Sequence, residues 1–469
     1  MEFDNLKDEL LSKLDTSLKF SESLDKSADF EIYLVYQNES SVNINQGVVQ
    51  ASDGVLAGSA VRVSTGTTGH KKVSFTTASG LELNRIKKNI KEALSLNKSL
   101  SVEDPRFKSF SYPSNRSGKE GVLCKDILNV TTSDLIPKCV TMIEEAKSVD
   151  PRIKVVEAEM LVNSGGFAIG NTNGIQQASR TTMSSRSVEA NAIEGDDRKV
   201  GYIWDKTREK VIEGEGAGEK AAKNAIQQFG GKKLNKTGVI PTIWDNIATA
   251  SYIAAGLGYS IRGTYVVEGM SPLADKIGDQ IAHQGLTIID DGKKPTGLVT
   301  NACDAEGLPQ QKNVLIEKGI LKLFLFDSYY GQIFGTDPTA NCSRISGPFS
   351  RGIPYEIAPS IAPMNIEVKG GKKTEEELIS SIDGRAVLIR EFPIGISHSS
   401  IATGDFSAVA NTAFLIENGE IIHPLKSVTV AGNFYTGFKN LVEIGNNNEL
   451  TFFNINTPSF LFDGFSVVM

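Results

Sequence analysis

The chain opens with helical spacing. Leu6, Leu10, Leu11 and Leu14 fall on one face, which predicts a helix over about residues 3–27. The pattern then switches to a period of two. In residues 30–52, Ile32, Leu34 and Tyr36 alternate with Tyr33 and Val35 before a turn and a second run. Residues 54–79 repeat the theme, with Val61 and Val63 before a Gly/Thr turn and Val73 and Phe75 after it. Leu83, Ile86, Ile90 and Leu94 return to a helical stripe over 80–98. A helix, two hairpins and a second helix make an α+β unit.

Residues 101–120 carry two prolines and several serines with little periodicity, and read as a loop. A helix near 132–148 follows, then strands at 153–163 and 166–178 joined by a turn at Asn163-Ser164-Gly165-Gly166. Strands at 180–193 and 199–204 and a helix at 215–228 complete this part. The polar, basic run GGKKLNKTG (230–238) marks a boundary. The pattern therefore predicts an α+β protein. Its N-terminal α+β domain spans 1–230, with antiparallel hairpins, helices and a candidate subdivision near 100–120. The C-terminal domain, 239–469, is dominated by a large antiparallel sheet or barrel-like β structure. Within it, VLIEKGILKLFLFD (314–327) and FLIENGEIIHPLKS (414–427) share Leu-Ile-Glu-x-Gly and place hairpin turns at Lys318-Gly319 and Asn418-Gly419. A five-residue pattern supports two independent hairpins rather than a duplication.

Composition narrows the class. Of 469 residues, 40% are hydrophobic and 22% charged, as in a globular protein that builds a sizeable core. The net charge of −7 without a basic block argues against direct nucleic-acid binding. The acidic, amphipathic start is unlike a secretory leader, and no apolar run has the length of a membrane span, so a soluble cytoplasmic protein without membrane attachment is expected. Cys124, Cys139, Cys303 and Cys342 lie far apart and read as buried thiols rather than a zinc ribbon or redox pair.

Candidate chemistry is sparse. The four histidines share no metal-ligand spacing, and no HExxH occurs. His70 follows a turn, His283 is placed on a short helix and His423 lies within a hairpin. His398 sits in IGISHSSIATGDFSAVAN (394–411) with Asp405 and several serines, but no GxSxG elbow presents a nucleophile. A loop and strand edge whose Gly404 admits a close neighbour is the simpler reading. No GxxxxGK[ST] loop is present, and GEGAGEK only opens a helix.

The run TGDFSAVANTAFLIENGEIIHPLKSVTVAGNFYTGFKNLVEIGNN (403–447) resembles the signature of the TldD/PmbA family, also called modulators of DNA gyrase. SPLADKIG (271–278), GLPQQKNVLIEKGILKLFLFD (307–327) and TPSFLFDGFSV (457–467) match in order, and GVLAGSAVRV (54–63) and VSFTTAS (73–79) resemble its N-terminal part. Catalytic members hold zinc with an HExxxH helix and a later cysteine. Here the helix reads WDNIATASYIAAGLGYSIRGTY (244–265), with Asp245 as N-cap and Ile247, Ala250, Ala254, Leu257 and Ile261 as an apolar stripe. The resemblance puts the HE pair on Ala254 and Ala255 and the second His on Tyr259; residues 448–460, where the cysteine is expected, contain none.

The resemblance thus implies a metal-less TldE-type subunit, with no catalytic, cofactor or metal residues of its own and zinc only in a TldD-like partner. It implies a heterodimer with that partner, or a homodimer, acting on unfolded or small peptides. An extended peptide would add as a strand, with His398, Gly404, Asp405 and Phe406 as candidate groove or interface positions. The alternatives are a peptide-binding or regulatory protein that reaches a topoisomerase through protein contacts, and a hydrolase using His398 and Asp405.

Overall fold

The computed structural model describes residues 1–235, 237–345 and 352–468. Six long strands, β1 (Asp29–Asn45), β2 (Val48–Thr65), β3 (Lys72–Ser79), β4 (Ile153–Asn171), β5 (Gln176–Glu194) and β6 (Asp197–Thr207), form one sheet in the order β3-β2-β1-β4-β5-β6. Every neighbouring pair is antiparallel.

The turn expected within 30–52 falls at Gln46 and Gly47, whose φ angles of 49° and 80° suit a tight hairpin, but the two expected hairpins share one strand, since β2 runs on through Gly54 opposite Glu39. One expected turn is not a turn: the Asn163–Gly166 stretch is inside β4, opposite Glu39 to Tyr36 of β1. A Cβ on Gly165 would sit 2.2 Å from the Tyr36 carbonyl oxygen, and one on Gly166 would sit 2.6 Å from that of Ser179. These glycines admit neighbouring backbone rather than a reversal.

Alternation along the strands separates two faces. Phe30, Ile32, Leu34, Val42 and Ile44 of β1 face the same way as Val156, Ala158, Met160 and Ala168 of β4, and all are buried under helices. Helices α1 (Leu6–Leu24) and α2 (Leu83–Ser99) cover one end of that face; α3 (Thr132–Val149) and α4 (Ala217–Ile226) cover the other. The opposite face, with Tyr33, Val35 and Ile169, packs on Cys303 and Tyr355 from later in the chain.

In the C-terminal region an eight-stranded sheet curls into a half-barrel. Its path runs Asp405–Ala410, Val428–Asn433, Phe460–Val468, β7 (Gly238–Trp244), Arg385–Arg390, Thr412–Glu417 and Glu420–Pro424, with Leu441–Ile444 paired to Phe460–Val468. One pair, β7 with Arg385–Arg390, is parallel. Helix α5 (Asn246–Gly256) follows β7 directly. Tyr252 of α5 is fully buried among Trp244, Phe406, Phe434, Phe438, Phe462 and Phe465, with ring centroids 4.9–5.9 Å away, and its hydroxyl donates to the Phe434 carbonyl at 2.7 Å.

Both expected hairpins form. Lys318-Gly319 and Asn418-Gly419 are left-handed turns with φ of 49° and 79°, and 50° and 84°. They belong to different sheets, the first to a second six-stranded sheet that includes Lys312–Glu317. The chain is therefore α+β throughout.

Buried charges tie the two regions together. Arg62 of β2 makes a two-pronged pair with Glu31 of β1 at 2.7 and 2.8 Å and also donates to Glu306 at 3.1 Å. Glu306 in turn accepts from the Ser328 amide and hydroxyl at 2.9 and 2.8 Å. Such a planar, fully donated arrangement satisfies carboxylates that burial would otherwise penalise. No described helix is long and apolar enough to cross a membrane.

Candidate functional site

A cavity of about 770 Å³ lies where the uncovered face of the six-stranded sheet meets the C-terminal region. The sheet contributes Gln37 of β1, Phe167 of β4, Thr181 and Met183 of β5, and Trp204 and Lys206 of β6. Register explains the set: Gln37 pairs with Gly165, Gly165 with Thr181, and Ser185 with Lys206, so these positions share one face. The opposite wall is built by the end of α5 and by loops near 298–310, 342–345, 360–366 and 452–455.

Asp245 caps α5 as expected, accepting from the Ala248 amide at 2.8 Å. The helix is shorter than its sequence pattern predicts. It ends at Gly256 and gives way to turns before a short helix, Gly263–Val267. Ser260 donates its hydroxyl to the Gly256 carbonyl at 2.8 Å, and glycines at 256 and 258 favour the exit from helical geometry. Nor is α5 amphipathic. Ala248, Thr249, Ala250, Ser251, Tyr252 and Ile253 are buried on all sides, because the half-barrel surrounds the helix.

Ala254 and Ala255, half-buried on the last turn of α5, and Tyr259, 37% exposed in the following turn, all line the cavity. Phe452, Phe453, Asn454 and Ile455, from the stretch where a cysteine was expected, line it too. Asn246 fastens that stretch to α5, donating to the carbonyls of Asn447 and Thr457, each at 2.7 Å. The three segments that the family resemblance singles out therefore converge on one space.

A zinc ion does not fit the residues present there. Alanine methyls carry no lone pair, and one tyrosine cannot replace a ligand set. The thiols of Cys303 and Cys342 also line the cavity, with burial holding both well above their ordinary range, but two thiols fall short of a zinc ligand set. Among the described residues, no group of three or more His, Cys, Asp or Glu side chains is placed to hold a metal ion.

The other candidate positions lie to one side. His398 is exposed at the end of a single 3-10 turn, Ile396–His398, whose Ile396 and Ser397 touch the cavity. Asp405 is exposed and accepts from Asn433 at 2.9 Å; among the described residues no hydrogen bond joins it to His398. Gly404 has φ of 80°, and a Cβ there would strike the Tyr435 ring at 2.4 Å, so the close neighbour is a side chain rather than another backbone. Phe406 is buried in the aromatic core around Tyr252. His283 lies in a loop, not a helix, its Nδ1 accepting from the Gly285 amide at 3.1 Å.

Sequence reasoning passed over the groups that give the cavity its charge. Lys206, Arg262 and Arg344 line it, and burial pulls all three below their ordinary values. Arg262 stacks over the Tyr259 ring at 5.0 Å. Asp304 is the one described acid on the wall; burial, with Glu306 beside it, holds it far above the carboxylate range. The alternation of Trp204 and Lys206 with their neighbours was a usable signal, but only register shows which face is open.

Comparison with known proteins follows the same lines. Residues 125–229 match the PmbA/TldA metallopeptidase central domain and residues 237–469 the PmbA/TldA metallopeptidase C-terminal domain. The chain is 26% identical over 439 residues to an uncharacterized protein of Methanocaldococcus jannaschii, covering 92% of this chain and 95% of that one. It is 27% identical over 309 residues to metalloprotease PmbA of Escherichia coli O157:H7, covering 65% of this chain and 63% of that one. The fold is that of TldE from Thermococcus kodakarensis, with a TM-score of 0.85 at 23% identity over 97% of this chain and all of the other.

Proposed function

This chain belongs to the PmbA/TldD metallopeptidase family, and we propose that within it the protein is a metal-less, non-catalytic subunit. It would act in the cytoplasm with a TldD-like partner that supplies the zinc, on unfolded or small peptides. One observation carries this reading. Ala254, Ala255, Tyr259 and the 452–455 segment, where catalytic relatives are expected to hold their metal, line a single cavity yet offer no ligand set.

That helix carries neither a metal-ligand set nor a general base among the described residues, so it offers no group to activate water there. What it does offer is a long sheet wall and a partly apolar cavity. Those suit holding extended peptide rather than cutting it. The dimer follows from the missing chemistry, since cleavage then needs a second chain.

The test is purification alone and after co-expression with a TldD-like chain. Alone, the protein should carry no stoichiometric zinc and leave casein-derived peptides intact. With the partner it should co-elute, and the complex should bind zinc and cleave them in a chelator-sensitive way. Zinc bound by the lone chain, or cleavage without the partner, would sink the proposal.

A further inference from the structure

One edge of the six-stranded sheet is open over half its length. β3 pairs with β2 only from Gly58 to Thr65, so residues 48–57 of β2 have β1 on one side and no described strand on the other. The pairing with β1 runs through this stretch without a bulge. The two-residue turn at Gln46-Gly47 makes Asn45 and Val48 a hydrogen-bonded pair. Even-numbered residues of β2 therefore bond β1, and odd-numbered ones turn their N–H and C=O outward. Ala57 follows this rule, its carbonyl accepting from the Gly80 amide at 2.8 Å. Val49, Ala51, Asp53 and Val55 are exposed, and among the described residues no hydrogen bond engages their outward main-chain groups.

Open edges of this kind are normally guarded by charge, proline, a bulge or a covering segment, because they pair with any strand that meets them. Other edges here are guarded. β6 carries Arg198, Lys199, Asp205 and Lys206, and its Trp204 meets Phe452 at 6.2 Å. The Glu420–Pro424 strand of the half-barrel is short and ends in a proline. Residues 48–57, VVQASDGVLA, hold one charge, and the Asp53 carboxylate is already engaged by the hydroxyls of Ser40 and Thr132 at 2.6 and 3.0 Å. Val48, Val49 and Val55 are 61%, 48% and 64% exposed, so the unguarded backbone carries apolar side chains on both faces.

We propose that this edge pairs with the same edge of a second copy of the chain, antiparallel about a two-fold axis at Ser52, joining two six-stranded sheets into one. Such an axis stands normal to the sheet, so each residue meets one from the same face. Ser52 then meets Ser52, Ala51 meets Asp53, Gln50 meets Gly54, Val49 meets Val55 and Val48 meets Leu56. The strand is self-complementary in this register. Each outward residue meets an outward residue, which gives about eight main-chain hydrogen bonds. Apolar side chains meet at both ends, and Asp53 faces an alanine. Moving the axis to Asp53 sets that charge against itself and calls on the Ala57 carbonyl, which Gly80 already holds. Moving it to Ala51 sets Val55 against Gly47, in the turn. The inference goes beyond the subunit reading. It is read on the mass of the lone chain, whereas that reading is tested by zinc and cleavage in the complex, so either can fail without the other.

The experiment combines sedimentation equilibrium of the full chain with oxidative cross-linking. One strand's width is a small interface, so the 50.6 kDa monomer should give way to a dimer with a Kd of about 10 μM. Ala51→Pro removes an outward N–H without touching the ladder to β1 and should weaken the dimer about tenfold, with a melting temperature near that of the parent. In Ser52→Cys the two thiols meet in a non-hydrogen-bonded pair, with Cα atoms about 4.5 Å apart, and should cross-link under mild oxidation. Gln50→Cys sets them about 14 Å apart and should not. The four native cysteines are buried and stay silent. A chain that stays monomeric to about 200 μM, a dimer indifferent to Ala51→Pro, or equal cross-linking of the two cysteine variants would overturn the proposal. So would a lone monomer that loses a TldD-like chain through Ala51→Pro, which would give the edge to that partner. If Ala51→Pro fails to fold, the cysteine variants decide: cross-linking confined to Ser52→Cys supports the pairing, and any other pattern removes it.

Discussion

The two walls of the cavity come from regions built on different principles. The six-stranded sheet has strands of up to 19 residues in simple antiparallel order, with its four helices on one face. Its perturbed acids are on the surface and held down. Hydrogen bonds from Ser27 and Lys98 take Asp25 to about 2, and those from Arg152 take Asp150 to about 2. The C-terminal region wraps short strands and loops around one buried helix and an aromatic cluster. Most of its perturbed acids are pushed up, with burial as the largest cause: Asp245 and Asp290 to about 6 and Glu391 to about 7. The sheet is a scaffold stabilised by repetition. The half-barrel buries polar groups around the cavity and is the more sensitive wall.

The largest expected effect separates the two cores. Tyr252→Ala removes a fully buried ring that touches six others and should lower stability by about 3–5 kcal/mol. Hydrogen exchange should show the loss in the half-barrel while β1 and β4 stay protected. Equal loss of protection in both regions would break the comparison.

Next come the glycines. Gly166→Ala sets a methyl against the Ser179 carbonyl, which the sheet register fixes, and should lower stability by about 1–3 kcal/mol in a urea titration. Gly256→Ala meets the Phe434 side chain at 2.9 Å and should cost less, since a ring can shift where a paired backbone cannot. The reverse ranking would mean that the aromatic core is the stiffer region.

The pH dependence sharpens the contrast further. An acid whose native pKa lies above its unfolded value binds more protons when folded, so stability is full below about 4 and falls as pH rises through 6 to 7. Asp25 and Asp150 act oppositely: their contribution is present above about 4 and is lost as pH falls towards 2. Glu391 is the cleaner probe. Its Oε1 is buried without a partner, while the carboxylate accepts from Thr412 at 2.9 Å. Glu391→Gln should match the parent near pH 4, exceed it near pH 8 and flatten the decline between, as read by thermal melts across that range. A parallel curve would show that the carboxyl titrates alike in the folded and unfolded chains. The smallest effect is expected midway along β2, where exposed Val55→Lys should change stability by less than about 0.5 kcal/mol.

Much of this was legible in the chain. A period of two announced β1 to β6, a helical period announced α1 to α3, Asp245 marked the start of α5, and Asn418-Gly419 marked a hairpin. These signals are local: each depends on residues that touch along the chain or within one helical turn. The same holds for the alanines at 254 and 255, whose inability to bind a metal is a property of the residue.

Tertiary structure alone decided the rest. Gly54 and the Gly165-Gly166 pair carry the local signature of a turn, and only their backbone partners in β1 and β5 make them strand. The apolar spacing from 247 to 261 reads as one long amphipathic helix, but a surrounding barrel lets α5 be buried on every side and two glycines end it early. The cavity is the clearest case. Lys206 and Arg262 are 56 positions apart and look like ordinary surface cations, until sheet register turns one and the chain after α5 brings the other to the same cavity from the opposite wall. Pairing partners and shared faces are set by contacts between distant segments, which no local pattern records.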